Sequence, residues 1–410
     1  MNFIIASILF IFALGVRFLF FPYWKNLPLG GDENYYWDLA CRISHGEFVP
    51  PNIFLRPPLW SYVLSIPALF SHSHLWGRIF TTILGSAATP FMYFLGNQVF
   101  SKRVGIIAAI LFAIYPNYIG YSHYLWAETF YLLCSLIITY FFCKALNNKF
   151  TRSKFYILFA FMGIAFFLKE TAILLFAACV ITLWHNKIEY KYSLFIYAIL
   201  LFCMPVVIYS TYASYQNRRI IILADAPFYN ANQVNHGAEP WQLSPEENQK
   251  LFVRDFLGKK IKNVFRTYPQ QFEYFWTPNS FVLYRLIDAK KFGNYNMPYA
   301  SIGAYIGAGV YILIMLLGLT GLFLTEKSPF QTFSISYVAL ICLSGTIFLL
   351  CSRFRIPLMF LFILHASQVI SHPKQLISGC TQWKLVAWVV SILLFGIVIA
   401  AKWGTIGMYK

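Results

Sequence analysis

The run NFIIASILFIFALGVRFLFF, residues 2–21, decides the fold class of this chain. It holds about 20 mostly apolar residues, and a helix of that length crosses the roughly 30 Å hydrocarbon core of a bilayer. No Lys or Arg precedes the run, and the bulky Pro22-Tyr23-Trp24 that follows it does not resemble the small-residue site at which a secretory signal is cleaved. We therefore predict a retained first membrane helix.

Composition extends this prediction to the whole chain. Hydrophobic residues make up 59% of the 410 and charged residues only 11%, and the mean hydropathy is +0.60. A soluble protein carries about a quarter charged residues, so the soluble class is excluded. The net charge of +17 is dispersed over short loops between apolar runs. We therefore expect membrane lipid, and not nucleic acid, to be the partner of these charges.

Further apolar runs of spanning length follow the first. We predict an all-α integral membrane protein with about eleven transmembrane helices, at residues 2–21, 77–98, 104–122, 126–143, 155–169, 171–185, 193–212, 299–324, 331–350, 356–370 and 385–401. Two long loops, at about 22–76 and 213–298, interrupt these runs.

The second long loop divides the chain into three predicted parts. Residues 1–212 form an N-terminal transmembrane module that includes the first loop, residues 213–298 form a small subdomain outside the membrane, and residues 299–410 form the C-terminal transmembrane helices. A loop as long as 213–298 is uncommon unless it has structure or function of its own.

Charge sets the predicted orientation. The short loops on one side carry 11 Lys and Arg, whereas the opposite short loops carry three, Lys169, Arg353 and Arg355. The positive-inside rule makes the first side cytoplasmic and both long loops extracytoplasmic. In this orientation 13 of the 15 acidic residues lie outside or at the outer membrane edge. Because acids contribute little to topology, this asymmetry indicates chemistry at the outer face.

The first candidate motif is Gly30-Gly31-Asp32-Glu33, just outside the first helix. Two carboxylates after a Gly-Gly turn suit a general base beside a sugar-sized substrate. They equally suit the N-terminus of a short helix running to about Ser44, because carboxylates favour that position. Both interpretations stay open.

Three further motifs place charge at the same predicted boundary. Pro57-Pro58 stiffens the chain after Arg56, which is either a directed cation or an interfacial side chain that reaches the headgroups. Glu128 begins an otherwise apolar helix, where an ionisable group is a functional candidate by default. Lys169-Glu170 interrupts a long apolar stretch; neighbours on one helix do not face each other, so we expect a break with Lys169 in a polar cavity.

The last motif is Arg353-Phe354-Arg355, at the outer end of its helices. These two arginines depart from the positive-inside pattern. The guanidinium fork suits bidentate binding of phosphate. We therefore expect both to bind an anion at the outer face.

The order of these motifs resembles that of the family 39 membrane glycosyltransferases of the GT-C class, which include protein O-mannosyltransferases and lipid A aminoarabinose transferases. The resemblance rests on Asp32-Glu33, Arg56-Pro57-Pro58-Leu59, Trp76-Gly77-Arg78 and residues 116–128, 165–171 and 353–357. It implies an inverting glycosyltransferase with a polyprenyl-phosphate-sugar donor, facing outward from a bacterial plasma membrane. Asp32 matches the catalytic acid of the first outer loop, and this chain has Glu128 where the family often has Asp.

On this hypothesis Asp32 takes the proton from a hydroxyl of a lipid, glycan or protein acceptor as that oxygen attacks the sugar C1. Glu33 and Glu128 orient the base or the acceptor. The lipid phosphate, which gains negative charge in this step, is expected to bind four cations: Arg56, Lys169, Arg353 and Arg355.

Other interpretations remain at this stage. A lipid-linked glycan polymerase or ligase would use similar donors and arginines. A lipid or sugar transporter (flippase) is less favoured, because we find no internal repeat and the charged residues gather at one face. No cofactor and no metal ligands are assigned: a divalent metal is open at the outer carboxylates and His123, but no ligand spacing supports it.

Overall fold

A computed structural model of the chain describes residues 2–47, 56–146, 152–186, 191–221, 224–236, 242–258, 261–280, 300–348, 350–375 and 381–406. Within these residues every regular element is helical. The helices are α1 Asn2–Phe20, α2 Asp32–Ser44, α3 Leu59–Ala68, α4 His74–Val99, α5 Lys102–Ile114, α6 Pro116–Tyr121, α7 Ala127–Lys144, α8 Arg152–Phe166, α9 Ala172–His185, α10 Lys191–Asn217, α11 Ala226–His236, α12 Pro245–Gly258, α13 Ile261–Trp276, α14 Ala300–Leu324, α15 Pro329–Ser344, α16 Met359–Ser371 and α17 Gln382–Lys402.

The predicted all-α membrane class is confirmed. Among the described residues six helices are long and apolar enough to cross a bilayer: Asn2–Tyr23, His74–Val99, Ala127–Lys144, Phe195–Asn217, Ile302–Leu324 and Gln382–Thr405. Five shorter apolar helices accompany them: Leu59–Ala68, Ser153–Phe166, Ala172–His185, Pro329–Ser344 and Ile356–Ser371. Ten of these helices coincide with predicted spans, whereas Leu59–Ala68, at 10 residues too short to cross a bilayer, lies in the predicted loop 22–76.

The predicted span 104–122 is not one helix. The chain leaves α5 at Tyr115, whose ψ of 117° is extended, and turns into the short α6 at Pro116. A residue that precedes proline is pushed out of the helical region, and proline itself has no N–H to donate within a helix. This break leads the chain towards residues 122–126, which precede α7.

Helix α4 lies at the centre of the N-terminal half, where it packs against α1, α5 and α7. A Cβ on Gly96 would lie 2.7 Å from the Cα of Gly105, so these glycines allow α4 and α5 to approach backbone to backbone. In the C-terminal half α14 packs along α16, and α15 packs against α9 of the N-terminal half. The two halves of the chain are therefore joined through the transmembrane helices.

The outer surfaces of the bundle are apolar. On α17, Val386, Leu393 and Ile397 are exposed, and only 17% of that span is buried inside the protein. Exposed apolar side chains of this density are stable when lipid, and not water, surrounds them.

The second long loop begins with its own helices. The Arg219 guanidinium binds both oxygens of Asp225, at 2.5 and 2.7 Å, and so fixes the turn between α10 and α11. The amide of Asn232 donates to Asn248 and joins α11 to α12. Residues 281–299 of this loop lie outside the described part. The division of the chain at residues 212 and 298 stays a prediction.

Candidate active site

A charged cavity of about 250 Å³ opens where six separate parts of the chain meet. They are the start of α2, the segment before α3, the start of α7, the break between α8 and α9, helix α11, and the segment before α16. The cavity's charged residues are Asp32, Arg56, Glu128, Lys169, Glu170 and Arg353. Five of these six are site residues that the sequence predicted.

Arg353 joins the two acids of this cavity. Its Nη1 donates to Asp32 Oδ2 at 2.7 Å, its Nη2 donates to Glu128 Oε2 at 3.2 Å, and its Nε donates to Glu128 Oε1. The guanidinium also lies 4.5 Å from the ring centroid of Trp126. The aromatic face and the two carboxylates therefore hold Arg353 in one orientation.

Two more cations extend the network. Arg56 Nη2 donates to Asp32 Oδ1 at 2.9 Å, and Lys169 Nζ donates to Glu128 Oε1 at 2.5 Å. Three cations and two carboxylates therefore alternate along one chain of ion pairs. We call these five residues the ion-pair network: Arg56, Asp32, Arg353, Glu128 and Lys169.

Local backbone structure places both acids at helix N-termini. Gly31 adopts φ 58°, a left-handed conformation that glycine tolerates, and Asp32 is the first residue of the helix that follows. The chain is extended at Trp126, so that Glu128 lies in the first turn of α7. The positive ends of both helix dipoles therefore favour these carboxylates.

The break between α8 and α9 presents Lys169, as the sequence predicted. The Leu168 amide donates to Ala165 and the Ala172 amide donates to Lys169, so tight turns replace helix across this segment. Lys169 leaves the apolar stretch at this point and reaches Glu128. The polar cavity that was expected beside Lys169 is the charged cavity.

The electrostatic state of Asp32 follows from its neighbours. Burial by itself raises the pKa of this carboxyl, but the charges of Arg353 and Arg56 outweigh burial and hold the pKa below its ordinary value. Asp32 is therefore ionised at neutral pH. Both of its oxygens are engaged by arginines.

Glu33 does not line the charged cavity. It is fully buried on another side of α2, where it accepts hydrogen bonds from the Leu125 amide at 3.1 Å and the Gly30 amide at 3.3 Å. Arg78 lies 3.5 Å away and also donates to the carbonyls of His123 and Leu27. These contacts tie the first long loop to the segment before α7. That Glu33 orients the base or acceptor stays a prediction.

We expect Glu33→Ala to lower stability more than it alters catalysis. The substitution leaves Arg78 buried without its carboxylate, and breaking a buried ion pair costs about 3–5 kcal/mol. The apparent Tm of the purified protein in detergent should fall by several degrees, with a smaller fall for Glu33→Gln, which retains a hydrogen-bond acceptor. An unchanged Tm together with lost turnover would instead assign Glu33 to the chemistry.

Arg355 is also directed away from the charged cavity. Its Nη1 donates to the carbonyls of Phe275, at 2.8 Å, and Thr277, and its guanidinium lies 4.0 Å from the ring centroid of Tyr311. Arg355 was expected to bind the lipid phosphate. These contacts hold the end of α13 against α14, and the binding of phosphate by Arg355 stays a prediction.

A second cavity, of about 400 Å³ and mostly apolar, adjoins the first. Its walls come from α8, α9, the end of α15 and the second long loop, and they include Phe166, Leu174, Phe228, Phe252 and Phe348. Four residues line both cavities: Lys169, Glu170, Asn230 and Phe354. We call these four the junction residues.

Sequence reasoning assigned no role to Glu170 or Asn230. Glu170 was visible only as the neighbour of Lys169 in a charged interruption. Burial raises the pKa of its carboxyl, and within the described residues no cation lies within ion-pair distance of it. Asn230 belongs to α11, in a loop whose sequence carries no motif that would have marked it.

A divalent metal was left open at the carboxylates and His123. Within the described parts of the chain, no three His, Cys, Asp or Glu side chains come together to hold an ion. The two acids of the ion-pair network are engaged by cations, and His123 is buried beside Thr82 and Trp24.

Comparison with known proteins supports the GT-C resemblance. A family model described as dolichyl-phosphate-mannose-protein mannosyltransferase matches residues 55–209. No curated protein has a matching sequence. The matched region holds three members of the ion-pair network: Arg56, Glu128 and Lys169.

Solved structures share the fold at low sequence identity. The apo oligosaccharyltransferase from Archaeoglobus fulgidus matches 98% of this chain with a TM-score of 0.55 and 13% identity. The same organism's oligosaccharyltransferase AglB, in complex with an inhibitory peptide and a dolichol-phosphate, matches 98% with a TM-score of 0.50 and 15% identity. ArnT from Cupriavidus metallidurans bound to undecaprenyl phosphate matches 90% of this chain and 78% of its own, with a TM-score of 0.46 and 13% identity.

The chain spans 56% and 55% of the lengths of the two archaeal structures. The structural matches therefore concern the membrane fold. The chain is an integral membrane protein with the fold of the GT-C glycosyltransferases, and over residues 55–209 it resembles the dolichyl-phosphate-mannose-protein mannosyltransferases.

Proposed function

We propose that the chain is an inverting glycosyltransferase that moves a sugar from a polyprenyl-phosphate-linked donor to an acceptor hydroxyl, at the outer face of a bacterial plasma membrane. The observation that carries this proposal is the junction of the charged cavity with the apolar cavity. A donor of this class has the same two parts, an anionic phosphate and a long apolar tail.

The apolar cavity suits the donor tail near the phosphate. Its walls are largely aromatic and aliphatic, and burying apolar surface contributes about 25 cal/mol per Å². The phosphate then lies near Lys169, at the boundary of the two cavities. The charged cavity offers three cations to this phosphate: Arg56, Lys169 and Arg353.

The proposed reaction is a single displacement. The acceptor oxygen forms a bond to the sugar C1 while the bond from C1 to the phosphate oxygen breaks, and the phosphate leaves with the electron pair. Asp32 takes the proton of the acceptor hydroxyl. Arg56, Lys169 and Arg353 stabilise the charge that develops on the phosphate.

Asp32 becomes a stronger base when it loses a hydrogen bond from an arginine, because each such bond stabilises its charged form. Both of its oxygens accept from arginines at 2.7 and 2.9 Å. A donor phosphate competes for the same guanidinium groups, because each fork binds phosphate and carboxylate alike. In this proposal Arg353 turns to the phosphate and leaves one Asp32 oxygen for the acceptor.

Two further features support the proposal. The dolichol-phosphate in the AglB complex is a polyprenyl phosphate bound to a protein of the same fold. The matching family is named for a dolichyl-phosphate-mannose donor and a protein acceptor. Lipid, glycan and protein hydroxyls all remain candidate acceptors for this chain.

The test is sugar transfer by the purified protein in detergent, with a panel of radiolabelled polyprenyl-phosphate sugars and pooled acceptor alcohols. We expect one donor to be consumed, with inversion at C1 shown by NMR of the product. Retention of configuration would contradict the single displacement. Failure of a folded protein to use any donor would contradict the enzyme class.

A further inference from the structure

The boundary between the two cavities is built from four side chains of different chemistry. Lys169 supplies a cation, Phe354 an aromatic face, Glu170 a carboxylate and Asn230 an amide. A donor whose tail lies in the apolar cavity and whose sugar lies in the charged cavity must cross this boundary. The junction residues therefore contact the donor at the phosphate and at the sugar next to it.

Two of the junction residues, Lys169 and Phe354, already have partners within the protein. Lys169 is a member of the ion-pair network and is drawn towards Glu128 at 2.5 Å. Its ammonium lies 5.1 Å from the ring centroid of Phe354. These contacts place the cation and the aromatic ring side by side.

The other two junction residues have unused hydrogen-bonding capacity. Within the described parts of the chain, the Glu170 carboxylate forms no ion pair and the Asn230 amide forms no hydrogen bond, although both line the two cavities. By contrast, Asp32 and Glu128 each bind two cations. Both side chains are partly exposed to the cavities, so a ligand that enters can form hydrogen bonds with them.

We infer that Glu170 and Asn230 bind hydroxyl groups of the donor sugar and so determine which sugar the protein accepts. This inference rests on the proposed function and names the specificity-determining part of the same site. A carboxylate accepts hydrogen bonds from neighbouring hydroxyls, and an amide both donates and accepts. Together they can distinguish the positions of hydroxyls on a neutral sugar.

The surrounding structure holds Asn230 in place. The adjacent Tyr229 hydroxyl donates to the Leu243 carbonyl at 3.2 Å, and Asn232 binds Asn248 at 2.8 and 3.0 Å. The ion pair of Arg219 with Asp225 fixes the start of α11. A side chain on a helix anchored at both ends can impose geometry on a ligand.

A site built to hydrogen-bond hydroxyls rejects a sugar that lacks them, because its polar groups are then left unsatisfied. Removing one such group from the protein should weaken that preference. We expect Glu170→Gln and Asn230→Ala each to reduce discrimination between donors by about 10- to 100-fold, the range for one hydrogen bond to a charged or buried group. Contacts to the phosphate should be unaffected.

The experiment compares the Kd of undecaprenyl phosphate with the Kd values of its sugar esters, a set of neutral hexose and pentose epimers, for the wild type and both variants in detergent. The matched control is Glu326→Gln, the same substitution at an exposed carboxylate far along the chain. We expect the wild type and the control to prefer one sugar ester over the bare lipid. In both junction variants this preference should fall while the Kd of the bare lipid holds.

Other outcomes separate the two proposals. If the variants weaken both lipids equally, or leave the preference intact, the inference is overturned. If Glu170→Gln keeps the preference but loses transfer, Glu170 acts in the chemistry and the inference is again overturned. A wild type that prefers one sugar but transfers none contradicts the proposed function and supports the binding role. A wild type that binds neither lipid contradicts both.

Discussion

Asp32→Asn is expected to reduce sugar transfer by about 10²- to 10⁴-fold, the range that a positioned general base contributes. The amide of asparagine cannot take the proton of an acceptor hydroxyl. Its carbonyl oxygen can still accept from Arg56 or Arg353, so we expect the protein to fold and to bind undecaprenyl phosphate. The measurement is the single-turnover rate with saturating donor and acceptor, which separates chemistry from binding.

The matched control is Asp38→Asn, which makes the same change at an exposed position of the same helix, away from the ion-pair network. We expect this variant to retain wild-type transfer. An Asp32→Asn protein that transfers sugar at the wild-type rate would remove Asp32 from the role of base. Loss of folding, seen as an aggregated peak in size-exclusion chromatography, would move Asp32 to a structural role.

Arg353→Gln is expected to reduce transfer by at least about 10²- to 10³-fold, the loss that follows removal of one preorganised electrostatic group. Arg353 is the member of the network that contacts both acids, and it is one of the three cations proposed to bind the phosphate. Both the affinity for undecaprenyl phosphate and the rate of chemistry should therefore fall. Arg254→Gln, at a largely exposed arginine, is the control.

The same variant should change the dependence of transfer on pH. Arg353 and Arg56 hold the pKa of Asp32 below its ordinary value, so the wild-type base stays ionised until the pH falls below the usual carboxyl range. Without Arg353 that pKa rises, and the loss of rate on acidification should begin at a higher pH. If the transfer rate of both proteins falls at the same acidic pH, ionisation of Asp32 does not control that fall.

The membrane class could be predicted from sequence because it depends on hydropathy summed over segments of about 20 residues. Individual helix boundaries depend on single residues and were less certain. Proline pushes the residue before it out of the helical region, so Pro116 indicates a break after α5. The apolar run around Pro116 nevertheless favoured a single span. Leu59–Ala68 is a helix within a predicted loop, and at 10 residues it is too short to give the signal of a span.

The charged cavity was predicted in part for a related reason. Neighbouring residues on a helix point about 100° apart, so only one of Asp32 and Glu33 can face a given cavity. Sequence identifies the pair but not the member that faces inward, because that depends on the rotation of α2 against α4 and the segment before α7. The same limit applies to Arg353 and Arg355, which lie in a turn without a fixed period.

Asn230 shows a different limit. It reaches the cavities because α11 is folded back over them, and nothing in its neighbouring residues indicates this placement. Glu170, by contrast, was visible in the sequence as a charge within an apolar stretch. Sequence could not show that Lys169 pairs with Glu128 and not with Glu170. The role of a polar residue can be assigned only when its hydrogen-bond and ion-pair partners are known.

The ion-pair network also has a consequence for synthesis of the protein. Asp32 and Arg353 lie 321 positions apart in the chain but meet at 2.7 Å. When most of the membrane helices have been synthesised, the nascent chain still lacks Arg353, the cation that joins Asp32 and Glu128. A product truncated before residue 353 therefore cannot complete the ion-pair network, because it lacks the arginine that pairs with both acids.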